Sequence, residues 1–499
     1  MKHVSFVVLV VASVVSASSQ WISIRTVPVV AAQQGDFYPS LARGMGNLSI
    51  VMDDRLGAPF LNPAKGLFIS EATVFASLAR TSWSNESGSP VSSVFGSSAY
   101  RGSALNSIPV GGLFKSGNLF GGALFAYQGY KSERSRTTSP IFFPRDRITD
   151  ASYAVRSDIA SNTFLFGLAG VTTTEEHLTV AVSGGWADLG ALDGVNLLYP
   201  GALDIRQSAR AWELKLGALA RLPDGDRLEL IAGRAVANAT HDVSYPSPLS
   251  PFGVVRESNR DETREWLLSG VYLRPVGERW RIGAVLTVNW KDHPKIPNYA
   301  LANIPRDPGT SIAYNFGAGA RWSNEKTSWG FEYIYEPITT NTWAEAGEQQ
   351  FPDRVLPPYF KTVENFFDFS NHILRIGHSS VSKWEWLDYR LGAQLHFYNY
   401  DLRQINNLAG TKRDFTTDWL ETTLTGGLTA RFGHMELLYT LQLILGNGMV
   451  GTATPRFVAP MEGGIIRNTF DFLPAPSGEL VVDEITLVTH QLTFVYRLE

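Results

Sequence analysis

The sequence predicts an all-β protein, a transmembrane antiparallel β-barrel of about fourteen strands. Three observations predict it: an export signal with no apolar helix after it, strand-like runs long enough to cross a bilayer, and connections that alternate between tight turns and long loops.

Composition sets the frame. With 499 residues, 44% hydrophobic and 18% charged, the chain is neither disordered nor collagenous. A mean hydropathy of −0.05 is too low for a helical membrane bundle. The 45 Gly, 13 Trp, 18 Tyr and 28 Phe suit a β protein with a large apolar exterior. The 43 Lys and Arg nearly balance 47 Asp and Glu, so no broad basic field exists and no nucleic-acid partner is expected. A cysteine count of zero excludes disulfides, thiolate metal sites, cysteine nucleophiles and lipid attachment at an N-terminal cysteine.

The N-terminus places Lys2 before the apolar run from Val4 to Val15 and the small residues Ser16-Ala17-Ser18-Ser19. That order predicts a secretory signal peptide over residues 1–17, cleaved after Ala17. A buried strand or a short anchor is the alternative, but the run is too short to span as a helix. No later segment holds the ~18 uninterrupted apolar residues of a transmembrane helix. The exported chain is then either secreted or a barrel in a bacterial outer membrane.

From Leu67 to the end the strand pattern repeats, and residues 67–499 are read as the barrel. Trp280, Ile282, Leu286 and Trp290 share one face, and Arg281, Thr287, Asn289 and Lys291 share the other, because successive strand side chains point to opposite sides. The same two-sidedness separates Trp212, Leu214 and Leu216 from Glu213 and Lys215, and Trp329, Phe331 and Tyr333 from Glu332 and Glu336. Leu437, Tyr439 and Leu441 oppose Glu436 in the same way. A tilted membrane strand needs about nine to eleven residues where a globular one has about five or six, and roughly fourteen to sixteen runs qualify. A secreted β-sandwich or propeller also has apolar strand faces, though with shorter strands. The polar side chains expected to line the lumen include Arg321, Arg390, Glu421 and Arg431, with His396 on the same face.

The turns at Phe114 to Asn118, Pro223 to Asp226 and Phe432 to His434 are tight. Residues 140–148, 245–261, 293–308, 336–369 and 446–480 read as long, Pro-rich loops, so short turns gather at one rim and long loops at the other. The closing run from Val488 to Glu499 alternates throughout, with Leu492, Phe494, Tyr496 and Leu498 on one face. It is either an ordinary last strand or a signal for the outer-membrane insertion machinery. No G-x-S-x-G, H-E-x-x-H, phosphate-binding glycine loop or calcium loop occurs, so no enzyme activity, metal site or cofactor is expected.

Residues 18–66 form an extension before the barrel, carrying Ala42-Arg43-Gly44-Met45-Gly46, the acidic pair Asp53-Asp54, and Asn62-Pro63-Ala64. This order resembles the N-terminal signature of the FadL-like outer-membrane superfamily, which includes hydrophobic-compound transporters and barrel proteins of type IX secretion. Asn47-Leu48 and Lys65 depart from the usual pattern, so the resemblance is to the broad superfamily. It implies a hatch folded in the lumen, with Gly44, Met45, Gly46, Asp53, Asp54, Asn62 and Pro63 as its motif, either a moving gate or a fixed plug. Gly44 and Gly46 permit tight backbone paths, and Asn62-Pro63 favours a turn. Asp53 and Asp54 are expected to cap a short helix or to pair with Arg321, Arg390 or Arg431. The implied function is passive uptake of hydrophobic small molecules such as long-chain fatty acids or hydrocarbons. The implied partners are outer-membrane lipid, a hydrophobic small-molecule ligand and the insertion machinery. A barrel that anchors or shuttles secreted proteins, and a general porin with an open lumen, are the alternatives.

Overall fold

A computed structural model describes residues 38–88, 98–138, 152–173, 175–190, 204–246, 254–293, 309–345, 357, 360–407, 410–449, 456–457, 468–469 and 481–498. The signal-peptide reading of residues 1–17 and the loops read at 140–148 and 293–308 lie almost wholly outside them.

Most of the described residues form one antiparallel sheet closed on itself. Its strands are β1 (Thr73–Gly88), β2 (Ser98–Ser116), β3 (Leu119–Thr138), β4 (Ser152–Thr172), β5 (Leu178–Leu189), β6 (Asp204–Arg221), β7 (Arg227–Pro246) and β8 (Val254–Val276). They continue as β9 (Trp280–His293), β10 (Gly309–Ser323), β11 (Thr327–Glu345), β12 (Lys361–Val381), β13 (Leu387–Asn406), β14 (Thr411–Phe432) and β15 (Met435–Met449). The pair β16 (Arg456–Phe457) and β17 (Asn468–Thr469) stands apart as its own small sheet, and β18 (Val481–Arg497) closes the barrel against β1 from Thr73↔Arg497 to Gly88↔Val481. Closure leaves no strand edge to template pairing with another chain.

Sixteen strands form the barrel, two more than the sequence reading of about fourteen. The difference has a physical source. Barrel strands run from 12 to 23 residues, longer than a bilayer needs, and their long-loop ends need no apolar outward face. In β13 those outward positions are Asn399, Asp401 and Arg403, which break the alternation that marks a membrane strand. For the same reason much of what reads as loop is strand: residues 336–345 belong to β11, 361–369 to β12 and 254–261 to β8. The first strand starts at Thr73 and not at Leu67, because Pro63–Phe68 forms a 3-10 helix with Pro63 at its start and the Asn62 side chain accepting from the Ala64 N–H.

The tight turns sit where the sequence places them, joining β2 to β3, β6 to β7 and β14 to β15, with left-handed Gly117, Gly225 and Gly433 at φ 56°, 81° and 61°. The two faces of the sheet differ as the alternation requires. Trp280, Ile282, Trp290, Leu437, Phe494 and Tyr496 are exposed on the outside, while Glu436, Gln491, Arg390 and Glu421 are buried on the inside. An exposed apolar exterior around a buried polar interior inverts the arrangement usual in a soluble protein. Among the described residues no helix is long and apolar enough to cross a membrane.

Candidate functional site

The interior face meets residues 38–69, which touch strands on every side of the closed sheet. The segment opens with a 3-10 turn, Ala42–Met45, capped by Gly46 in the left-handed region at φ 68°. Gly46 donates its N–H to Thr425 Oγ1 on β14 at 2.9 Å. A side chain on Gly46 would strike Ile376 O and Ala393 O at 2.6 and 2.7 Å, and one on Gly392 would meet Gly46 N at 2.0 Å. Gly44 lies less tightly against Arg390 and Gly427, at 3.3 Å from each, so the requirement for glycine falls on Gly46 and Gly392. Met45 is fully buried there.

Beyond the seat, Glu332 of β11 accepts from three successive backbone N–H groups: Ser49 at 2.9 Å, Ile50 at 2.6 Å and Val51 at 3.1 Å. Its side chain is 0% exposed, and Arg375 Nη1 of β12 lies 3.5 Å from its other oxygen while donating to Ser49 Oγ at 2.7 Å. Consecutive amides aimed at one carboxylate make an anion nest, here filled by the protein's own barrel wall. Asp53 meets Arg227 of β7 at 2.5 Å and Arg281 of β9 at 2.7 Å. Burial pushes the Asp53 carboxyl up, but Arg227, Lys65 and Arg281 together hold it well below the usual carboxylate range.

Asp54 turns inward on its own segment, accepting from Leu41 N at 2.9 Å, Leu56 N at 3.1 Å and Gly57 N at 3.3 Å. It therefore ties the two ends of the segment's first half together, as a capping carboxylate does. Asn62 also donates to Glu229 at 3.4 Å, and Lys65 lies 3.2 Å from the same carboxylate. Glu436 of β15 gathers Arg55 from the segment and Arg497 from β18, and Arg431 pairs with Asp388. The opposite side of the segment is apolar: Phe60 stacks on Tyr38 at 6.0 Å and meets Phe75 edge-on at 6.1 Å, within a cluster that includes Leu56, Leu67, Phe120 and Leu168.

Of the residues singled out in the sequence, Gly44 and Arg390 are brought together, while Asp53 pairs with Arg227 and Arg281 instead of Arg321, Arg390 or Arg431. Arg321 makes no ion pair among the described residues. Arg390 donates to Thr429 Oγ1 at 2.5 Å, and Glu421 accepts from Tyr398 at 3.4 Å further up the wall. Glu332 and Arg281 are read in the sequence only as polar-face positions, and Arg227 and Arg375 carry no signal there. Alternation assigns Glu332 to the inward face, but nothing in the sequence tells which inward carboxylate meets residues 49–51.

On the long-loop side of the segment, the inward faces of β10 to β14 carry a second buried cluster: Ala313, Ile338, Phe367, Phe369, Tyr398, Tyr400, Leu402 and Trp419. Tyr398 stacks on Trp419 at 4.6 Å and on His396 at 3.7 Å, and Phe369 meets Tyr400 at 5.0 Å. Below the rings lie Glu336, which accepts from Asn371 at 3.1 Å, and Glu421.

Fold and site thus define a sixteen-stranded antiparallel barrel whose inner wall binds its own N-terminal segment. Solved structures resemble it remotely. The toluene transporter TbuX of Ralstonia pickettii shares 13% identity over 92% of this chain and 98% of its own, with a TM-score of 0.42. The toluene transporter TodX of P. putida shares 12% over 93% and 99%, at 0.43. A FadL homologue of Pseudomonas aeruginosa shares 10% over 92% and 99%, at 0.44. No family model matches the chain, and no curated protein matches it. The barrel itself is established by strand register and not by these likenesses.

Proposed function

We propose that the protein is an outer-membrane channel for passive passage of hydrophobic small molecules, exported by its signal peptide and inserted by the outer-membrane machinery, with residues 38–69 as a hatch in the lumen. The observation that carries this reading is the buried aromatic cluster of β10 to β14, standing on the inner wall on the long-loop side of the segment. A general porin needs a wet, polar lumen; rings from three strands facing inward favour an apolar solute, at about 25 cal/mol per Å² removed from water. A solute arriving from the long-loop rim meets the rings first and the hatch next. The hatch then decides between a sealed and a passable lumen, and no energy input is required. Partners are outer-membrane lipid on the exposed apolar exterior and the hydrophobic ligand inside.

The test compares uptake of a labelled long-chain apolar compound in a null strain, in the complemented strain and in one carrying a deletion of residues 35–53. Complementation should restore uptake, and the deletion should alter it while the barrel stays heat-modifiable on gels. Uptake unchanged in both the null and the deletion strain contradicts the channel and favours a barrel that anchors secreted proteins.

A further inference from the structure

On the outer face of the barrel an arginine stands at the edge of the hydrocarbon side chains. Arg80 of β1 is exposed, and its guanidinium makes no ion pair or hydrogen bond among the described residues. Strand register places it between Asn106 of β2 and His490 of β18, both also exposed. The His490 ring is held in place, with Nδ1 2.8 Å from the Tyr439 hydroxyl of β15. Toward the short turns the next outward residues are Leu78, Ile108 and Leu492, all exposed. Toward the long loops β1 continues outward with Ser82 and Ser84, and β2 with Ala104. The row of Arg80, Asn106 and His490 therefore marks the upper edge of the apolar band on these strands. None of the outward residues flanking it is a carboxylate.

We infer that Arg80, Asn106 and His490 form a seat on the outer wall for the phosphate group of a phosphorylated glycolipid in the leaflet at the long-loop rim. The inference rests on the membrane reading and adds the chemistry of the lipid. A cation at the end of an apolar band lies where headgroups begin, with its aliphatic stem along hydrocarbon and its charge beyond it. Guanidinium presents a planar fork of donors that matches phosphate oxygens, and the Asn106 amide adds a donor from the neighbouring strand. With Tyr439 donating to Nδ1 of His490, the ring proton sits on Nε2, which supplies a third. Three donors and no carboxylate ask for a group that only accepts and carries negative charge. A zwitterionic headgroup fits less well, because its ammonium finds no anion in the row and is repelled by Arg80. The acyl chains of the same lipid then lie along Leu78, Ile108 and Leu492, burying apolar surface on both sides.

Native mass spectrometry of the full chain in detergent, titrated with lipid A bisphosphate and with the same lipid A after removal of both phosphates, tests this. The bisphosphate should bind roughly tenfold tighter, as charge-assisted hydrogen bonds to one phosphate predict. Arg80→Gln should erase that preference and leave binding of the dephosphorylated lipid unchanged, with heat-modifiability confirming a folded barrel. Lys383→Gln removes one exposed charge from the turn between β12 and β13, at the opposite rim, and should keep the preference. Equal binding of the two lipids overturns the phosphate seat while the outer face remains a lipid surface. A preference that survives Arg80→Gln, or that Lys383→Gln removes as fully, also overturns it, since the phosphate is then held elsewhere or by net charge alone. Binding of neither lipid overturns the seat and counts against the membrane reading as well.

Discussion

A carboxylate on the inner wall that accepts from three successive backbone amides leaves all three unmet when it is removed, together with the arginine beside it. Glu332→Ala should therefore loosen residues 49–51 by about 3–5 kcal/mol, the cost of breaking a buried charge pair from one side. Hydrogen exchange checks it: the amides of Ser49, Ile50 and Val51 should lose protection while those of β11 keep it. Asp53 adds a pH dependence whose sign follows from its cause. Its carboxyl is held below the usual range by Arg227, Lys65 and Arg281 against the opposing effect of burial, so its contribution is complete above about pH 4, the ordinary aspartate range, and is lost as pH falls from there toward the depressed folded value. Proteolysis of the segment should be flat from pH 7 to pH 5 and should rise only in stronger acid. Asp53→Asn should mimic that loss at neutral pH.

At the scale of elements, the N-terminal segment depends on strands that lack side chains where its first turn docks. A Cβ at Gly392 would lie 2.0 Å from the backbone nitrogen of Gly46, and backbone cannot swing aside as a side-chain tip can. Gly392→Ala should expel the turn Ala42–Met45 from its seat while β13 keeps its pairing, seen as new protease cleavage near Gly46 in a barrel that remains heat-modifiable. The outer face imposes the opposite demand. Leu437 is exposed on the outer side of β15, so on the proposed membrane reading Leu437→Arg should cost about 2–4 kcal/mol in urea unfolding from bilayers. These element rules were legible in part. Two-period alternation assigned the faces of β6, β9, β11 and β15, because successive side chains point to opposite sides of a sheet whose two sides differ in polarity. It failed past the apolar band, where Asn399, Asp401 and Arg403 face outward, and that is where the ends of β8, β11 and β12 read as loops.

Across the whole molecule, the closed sheet brings together residues hundreds of positions apart, and this is why the site was less legible than the fold. Asp53 was readable as a carboxylate in need of a cation, but Arg227 and Arg281 stand 174 and 228 residues away, on strands whose neighbourhood exists only once the barrel closes. The glycines of Gly44-Met45-Gly46 were visible, whereas the reason for them, the approach of Gly392 and Gly427 from β13 and β14, was not. Likewise the inward rings of β12 to β14 look in sequence like any other aromatic residues in strands, and only register stacks them.

The central claim is that the N-terminal segment fills the lumen of a membrane barrel that admits apolar solutes and not a column of water. Single-channel conductance in planar bilayers tests it most directly. The intact protein should show no steady ion conductance, and both Glu332→Ala and deletion of residues 35–53 should produce open-channel events in the same bilayers. Steady porin-like conductance from the intact protein, unchanged by either alteration, would contradict the account.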